Sequence, residues 1–281
     1  MSSTSTSAPD AAPDAAPAEA SPLYAAYLRR IRLERHLVRV VQLVALVGFF
    51  VLWEVAPRAH WVNPLLTSYP SAMWPVFVDM LSKGELLYHT WVTVEETIVG
   101  FVFGFGGGIA LAIGLWWSRF AYKVVDPFMV VANAMPKTAL APIFYIWLGD
   151  KYSIYGIAIA VGLFITTIML YNGFNEVDPN KVKLARTFGA SRSQILRKVV
   201  LPGSVPTMIA ALKIMVGLAL VGVIVGEFQS SKAGLGYLIV YGSQIFAMNL
   251  AMMAITILAV ISTVMYVVIF RFERRVLRHR Q

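Results

Sequence analysis

The chain has 281 residues, 58% of them hydrophobic and only 14% charged, and carries a formal net charge of +9; its mean hydropathy is +0.68. A water-soluble domain of this size keeps about 25% of its residues charged to cover its surface, so this composition excludes an ordinary soluble enzyme and places much of the surface in lipid. With no cysteine in the sequence, a disulfide scaffold, thiolate zinc or iron–sulfur sites and a cysteine nucleophile are excluded together.

Residues 1–22 are Ser, Thr, Ala, Pro and Asp without periodicity, the composition of a disordered tail. Residues 23–39 form a basic segment, and because the first apolar run begins only after Arg39, no cleavable leader is expected and the N-terminus is placed on the cytoplasmic side. A span needs roughly 20 mostly apolar residues. Six stretches qualify in chain order: Val40 to Ala56, Thr97 to Trp117, Val124 to Leu148, Ser153 to Tyr171, Val205 to Val225 and Ser243 to Phe270. Before the last, Gly234, Gly236 and Gly242 crowd Ala233 to Gly242, which reads as a short extracytoplasmic re-entrant segment. Residues 271–281 form a basic tail, so the membrane domain is 40–270. Lys and Arg concentrate in cytoplasmic loops, and with six spans 18 of them fall on the side of both termini against 4 on the other. The expected fold is therefore an all-α membrane protein with six transmembrane helices, multi-pass in the inner membrane, with both termini cytoplasmic.

Enzymatic constellations are absent from the sequence: it has no G-x-x-x-x-G-K-[ST], H-E-x-x-H or G-x-S-x-G. The chain thus has no catalytic residue or cofactor of its own, and energy must come from a partner or an ion gradient. His36, His60, His89 and His279 fall at interfaces or outside the spans, so no metal site is expected.

The long loop at 173–204, between spans four and five, carries the most information. Asp178 before Pro179 is a helix start, Gly189 a left-handed helix end, and Ser191 with Gln194 a capping box that opens a second helix, which Pro202 stops. Most connections are about 4–6 residues long, so a helix–Gly–helix elbow bearing six basic residues reads as a contact surface. Its basic helices also allow a DNA-reading helix-turn-helix or a plain solvated positive-inside loop, but confinement between two spans argues against nucleic acid.

The elbow resembles the EAA loop of binding-protein-dependent ABC importer permeases, whose pattern is roughly E-A-A-x-x-x-G-x9-I-x-L-P. Ala185, Gly189, Val199, Leu201 and Pro202 fall at its spacing, while Lys183 and Leu184 replace the leading Glu and Ala. The segments Asp126 to Asp150, Ala185 to Pro206 and Val225 to Ile239 extend the resemblance to the nitrate, sulfonate and taurine type over about residues 64–245. The resemblance implies a type I importer-like permease working as a homodimer. Two cytoplasmic ABC ATPase subunits would carry ATP and Mg, and an extracytoplasmic binding protein would deliver a small solute, an anion such as nitrate, sulfonate or taurine. It also makes Asp178, Ala185, Arg186, Phe188, Gly189, Ala190, Ser191, Arg192, Leu201 and Pro202 the ATPase-coupling residues. Ala185, Phe188, Leu196 and Val199 are then the apolar side that docks in a groove of the partner.

Three further groups follow from the residues themselves. Gly100, Gly104 and Gly108 form a small-xxx-small ladder for close helix packing. Lys137 and Lys213 lie inside predicted spans and Glu227 just beyond one, which makes them candidates for the translocation pathway, with snorkelling of the lysines or a helix cap for Glu227 as the structural alternatives. Glu95 and Glu96 mark the outer edge of span two unless one of them turns inward. A stand-alone secondary transporter or channel, or a membrane scaffold whose elbow binds a cytosolic protein without transport, remain the alternatives by function class.

Overall fold

The structure, a computed structural model, describes residues 22–230 and 232–278, with the side chains of 22–28, 230 and 276–278 outside the described set. The expected tail thus lies outside the described residues except for Pro22, as does His279. The chain divides into two units, 1–55 and 56–281. The first holds most of α1 (Pro22–Arg58), basic from Arg29 to Arg39 and then apolar around its whole circumference. Val41, Leu43, Val47, Phe49 and Leu52 are all exposed, the pattern of a helix whose solvent is lipid.

The second unit contains α2 (Pro64–Thr67), α3 (Pro70–Ser82), α4 (Glu85–Trp117), α5 (Arg119–Ala134), a 3₁₀ turn (Lys137–Leu140) and α6 (Ala141–Asn175). It continues with α7 (Pro179–Thr187), α8 (Arg192–Ile195), a π turn (Leu196–Val200), α9 (Leu201–Gly203), α10 (Val205–Ser230), α11 (Leu235–Gln244) and α12 (Met248–Arg278). Among the described residues every regular element is helical, and five helices are long and apolar enough to cross a membrane. These five correspond to five of the six expected spans, and the third is the one that no single long helix covers. Val124 to Leu148 is not one helix: Pro136 ends α5, a 3₁₀ turn follows, and Gly149, at φ 74° and ψ −179°, kinks α6.

The broken segment nevertheless runs from one end of the bundle to the other. At its start, Tyr122 stacks on Tyr171 near the end of α6, with ring centroids 3.9 Å apart. At its finish, Asp150 is 3.4 Å from Lys232 in the α10–α11 link. Two other boundaries also shift. The re-entrant segment is a ten-residue helix ending at Gln244, with the last long helix opening at Met248; α12 then continues as helix through the basic stretch taken for a tail, to Arg278.

The centre of the unit is α6, which packs on both α4 and α10. Gly100, Gly104 and Gly108 face it. A Cβ at Gly100 would stand 2.5 Å from the Ala158 Cβ, and Cβ atoms at Gly104 and Gly108 would each stand 3.3 Å from a backbone oxygen of α6, those of Ile159 and Leu163. On α10, Gly222 and Gly226 repeat the arrangement: their Cβ atoms would stand 2.7 Å from the Ala158 Cα and 2.9 Å from the Ile154 Cα. The helices therefore meet backbone to backbone, the geometry that dispersion packing favours where lipid tails are as apolar as leucine.

Candidate functional site

The elbow forms as the local signals dictate. Asp178 Oδ1 accepts the Asn180 N–H at 2.8 Å, opening α7. Gly189 ends it at φ 75°: the Gly189 N–H bonds to Arg186 O at 2.9 Å and the Ala190 N–H to Ala185 O at 3.0 Å. This is the paired bonding of a Schellman motif. Ser191 and Gln194 close the capping box, with the Ser191 N–H donating to Gln194 Oε1 at 2.8 Å and the Gln194 N–H to Ser191 Oγ at 3.3 Å. Pro202 does not stop the second helix as expected. A π turn lets the Leu201 N–H reach Leu196 O, so the helical path continues through Pro202 to Gly203 and breaks at Ser204. The Ser204 hydroxyl then reaches Gly173 O, at 3.1 Å, and ties the elbow to the end of α6.

The assignment of faces also changes. Leu196 is buried with Ile195, Val200 and Phe174 in this chain's own core, and Ala185, Ala190, Val199 and Leu201 pack against that cluster. They anchor the elbow and are not free for a partner. Arg192 stays on the surface but is tied down, its guanidinium donating to the Trp116 carbonyl at 3.0 Å over the Trp116 and Trp117 rings. A cation there satisfies an open carbonyl at the C-terminus of α4. Around the tip, Phe188 is exposed at 80%, beside exposed Leu184, Lys181, Lys183 and Arg186.

The three pathway candidates separate sharply. Glu227 is 1% exposed, so it does not face a mouth of the bundle. Its carboxylate accepts the Thr93 hydroxyl at 2.6 Å and the Gly236 N–H. Thr93 Oγ1 accepts the Leu235 N–H at 2.8 Å and His89 Nδ1 accepts the Gly234 N–H at 3.0 Å. Three side chains from α4 and α10 thus satisfy the open donors at the start of α11, and Glu227 is a buried cap placed where the helix dipole favours an anion. Gly234 and Gly236 lack side chains because a Cβ would meet the Glu227 carboxylate, at 2.2 and 2.6 Å.

Lys213 is paired with Glu273 of α12 at 2.6 Å, a partner the sequence reading did not provide. The pair is partly exposed and gives the ammonium a counter-ion within the chain. Lys137, in the 3₁₀ turn of the broken crossing, donates to the Asn133 carbonyl instead.

Sequence reasoning missed the roles of His89 and Thr93, which only long-range contact reveals. Of the two readings open for Glu95 and Glu96, the outer edge of the span or a turn inward, the structure gives the inward turn to one of them, on a helix that already starts at Glu85. Glu96 turns inward, 6% exposed, and Glu95 accepts the Tyr155 hydroxyl at 2.8 Å.

Residues 104–278 match the family model described as binding-protein-dependent transport system inner membrane component. The chain belongs to this family. An ABC transporter permease of Haemophilus influenzae is 31% identical over 82% of this chain and 94% of its own length. A protein of Bacillus subtilis named as an aliphatic sulfonates transport permease is 26% identical over 82% and 83%. Relatives named as formylaminopyrimidine and riboflavin transport permeases, from Halalkalibacterium halodurans and Chloroflexus aurantiacus, are 30% and 26% identical over 66% and 84% of this chain and 74% and 88% of their own lengths. In fold the chain is similar to the MetNI methionine ABC transporter in an inward-facing conformation, with a TM-score of 0.57 and 20% identity over 68% of this chain and 94% of that one. The permease is thus an all-helical, multi-pass subunit of an ABC importer, with the type I fold and the elbow in the position of its coupling helix.

Proposed function

We propose that the permease pairs with a second copy of itself to form a translocation pathway, driven by two cytoplasmic ATPase subunits that bind ATP and magnesium and grip the elbow. An extracytoplasmic binding protein delivers the solute. In this reading both termini and the elbow are cytoplasmic, in accord with the excess of Lys and Arg on that side. The observation that carries it is the exposed Phe188 beside Leu184 at the tip of a self-capped elbow whose opposite face is rooted in the core. An exposed aromatic on a rigid helix end is an anchor for a hydrophobic groove, and Lys183 and Arg186 beside it favour an acidic rim. Because the elbow is tied to α6 through Ser204 at its end and to α4 through Arg192 of α8, a pull on it reaches two crossing helices.

For the substrate we infer a small anion of the sulfonate, nitrate or taurine type. The names of relatives support a sulfonate without deciding it, since others are named for formylaminopyrimidine and riboflavin.

The test is Gly189→Trp in the complete complex. A side chain at φ 75° costs about 1–2 kcal/mol and reshapes the elbow tip. The variant is expected to insert in the membrane normally, yet lose copurification with the ATPase and ATP-dependent uptake. Unchanged copurification and uptake would overturn the coupling role. Solute accumulation by the chain alone in liposomes, with no nucleotide, would favour a stand-alone carrier.

A further inference from the structure

The two lysines inside crossing segments differ in one respect that matters in a bilayer. Lys213 has a carboxylate, Glu273, at 2.6 Å. Lys137 has only neutral acceptors, the Asn133 carbonyl and, at 3.5 Å, Asn133 Oδ1. Among the described residues no carboxylate comes within ion-pair reach of it. An intramembrane ammonium without a counter-ion is costly and marks a place where an anion is stabilised.

The surroundings of Lys137 fit that role. An open cavity of about 430 Å³ lies where the 3₁₀ turn meets α6, lined by Met135 and Leu140 from the turn side and by Phe144, Ile159 and Phe164 of α6, with Lys137 the one charged residue among its lining. Its size falls within the range of about 300–1,000 Å³ of small-molecule sites. Gly156 keeps the cavity in shape, since a Cβ there would stand 2.8 Å from Phe144. The position is midway along the bundle, because Ile159 and Phe164 lie near the middle of the straight part of α6 that runs from Gly149 to Asn175. Interrupted helices at the midplane are where membrane transporters place ligand sites, since irregular backbone is tolerated there only against protein or a cavity.

We propose that this cavity binds a small organic anion, its acidic head at the Lys137 ammonium and its apolar tail against Phe144, Ile159 and Phe164. This rests on the permease reading and narrows its substrate class from any anion to one with a short hydrocarbon tail. A lipid phosphate shares the head-group chemistry, so the experiment separates the two sources.

The permease, assembled with its ATPase, is reconstituted in nanodiscs of phosphatidylcholine and titrated with radiolabelled hexane-1-sulfonate, methanesulfonate and hexyltrimethylammonium. Hexanesulfonate is expected to bind at least about tenfold more tightly than either other probe, Lys137→Gln to weaken it by about tenfold or more, and Lys137→Arg to restore it. Filling the cavity with Ile159→Trp tests the site without touching the charge and should remove the preference for hexanesulfonate over methanesulfonate. In nanodiscs containing phosphatidylglycerol, Lys137-dependent suppression of sulfonate binding would assign the same site to a lipid anion. Equal binding by Lys137→Gln, or binding of hexyltrimethylammonium as tight as that of the sulfonate, would overturn the site. ATP hydrolysis by the same assembly is read in parallel. Hydrolysis without sulfonate binding removes this site and leaves the permease reading standing, whereas failure to assemble with the ATPase removes that reading.

Discussion

The two ends of the helical unit are closed by opposite means. At the elbow every cap is local: Asp178 serves Asn180, Ser191 and Gln194 serve each other, and Gly189 turns the chain by its own backbone. At the other end the first turn of α11 is capped by His89 and Thr93 of α4 and Glu227 of α10, two of the three reaching across more than 140 positions of sequence. The elbow tip is exposed and capped by its own residues while its base is rooted against the long helices, which suits a part that is gripped and moved. The α11 cap is buried and exists only while α4, α10 and α11 stay together, so any separation of α4 from α10 must break it.

The contrast can be tested from the largest effect to the smallest. Glu227→Ala strips the buried Gly236 N–H and Thr93 hydroxyl of their partner and should cost about 3 kcal/mol or more, read as a lowered melting temperature in detergent. Unchanged melting would mean that this end is not held by its cap. Gly104→Leu forces α4 away from the Ile159 carbonyl on α6 and from Met215, and should cost about 1–3 kcal/mol in the same measurement. Ser191→Ala removes one elbow cap and should cost about 1 kcal/mol. Its effect should be confined to the elbow, seen as faster hydrogen exchange over residues 191–203 with no change in α11. Phe188→Ser, at an 80% exposed position, should leave stability within about 0.5 kcal/mol. The same change should sharply reduce copurification with the ATPase, and a variant that kept full association would show that the elbow is held elsewhere.

How much could be read beforehand follows from the same division. Apolar runs and cap residues act within a few positions, so the helical membrane fold, the elbow with its start at Asp178 and turn at Gly189, and the glycine ladder of α4 were legible as patterns. The docking face of the elbow was misread because helical spacing shows that Ala185, Phe188, Leu196 and Val199 are apolar, not which of them the chain buries for itself. Pro202 misled for a related reason: the π turn carries the Leu201 N–H to Leu196 O, and the helical path runs on through the proline to Gly203.

The sequence by itself determined that this is a membrane-embedded helical chain with a basic, sharply capped elbow, because composition, periodicity and capping are short-range properties. Only the tertiary structure decided that the third crossing is broken, that Lys213 meets Glu273 while Lys137 meets no carboxylate among the described residues, and that Glu227 is buried as the cap of a helix. The physical reason is that the destination of a charge in a bilayer depends on which distant helix supplies its partner, and that is fixed by how the helices pack.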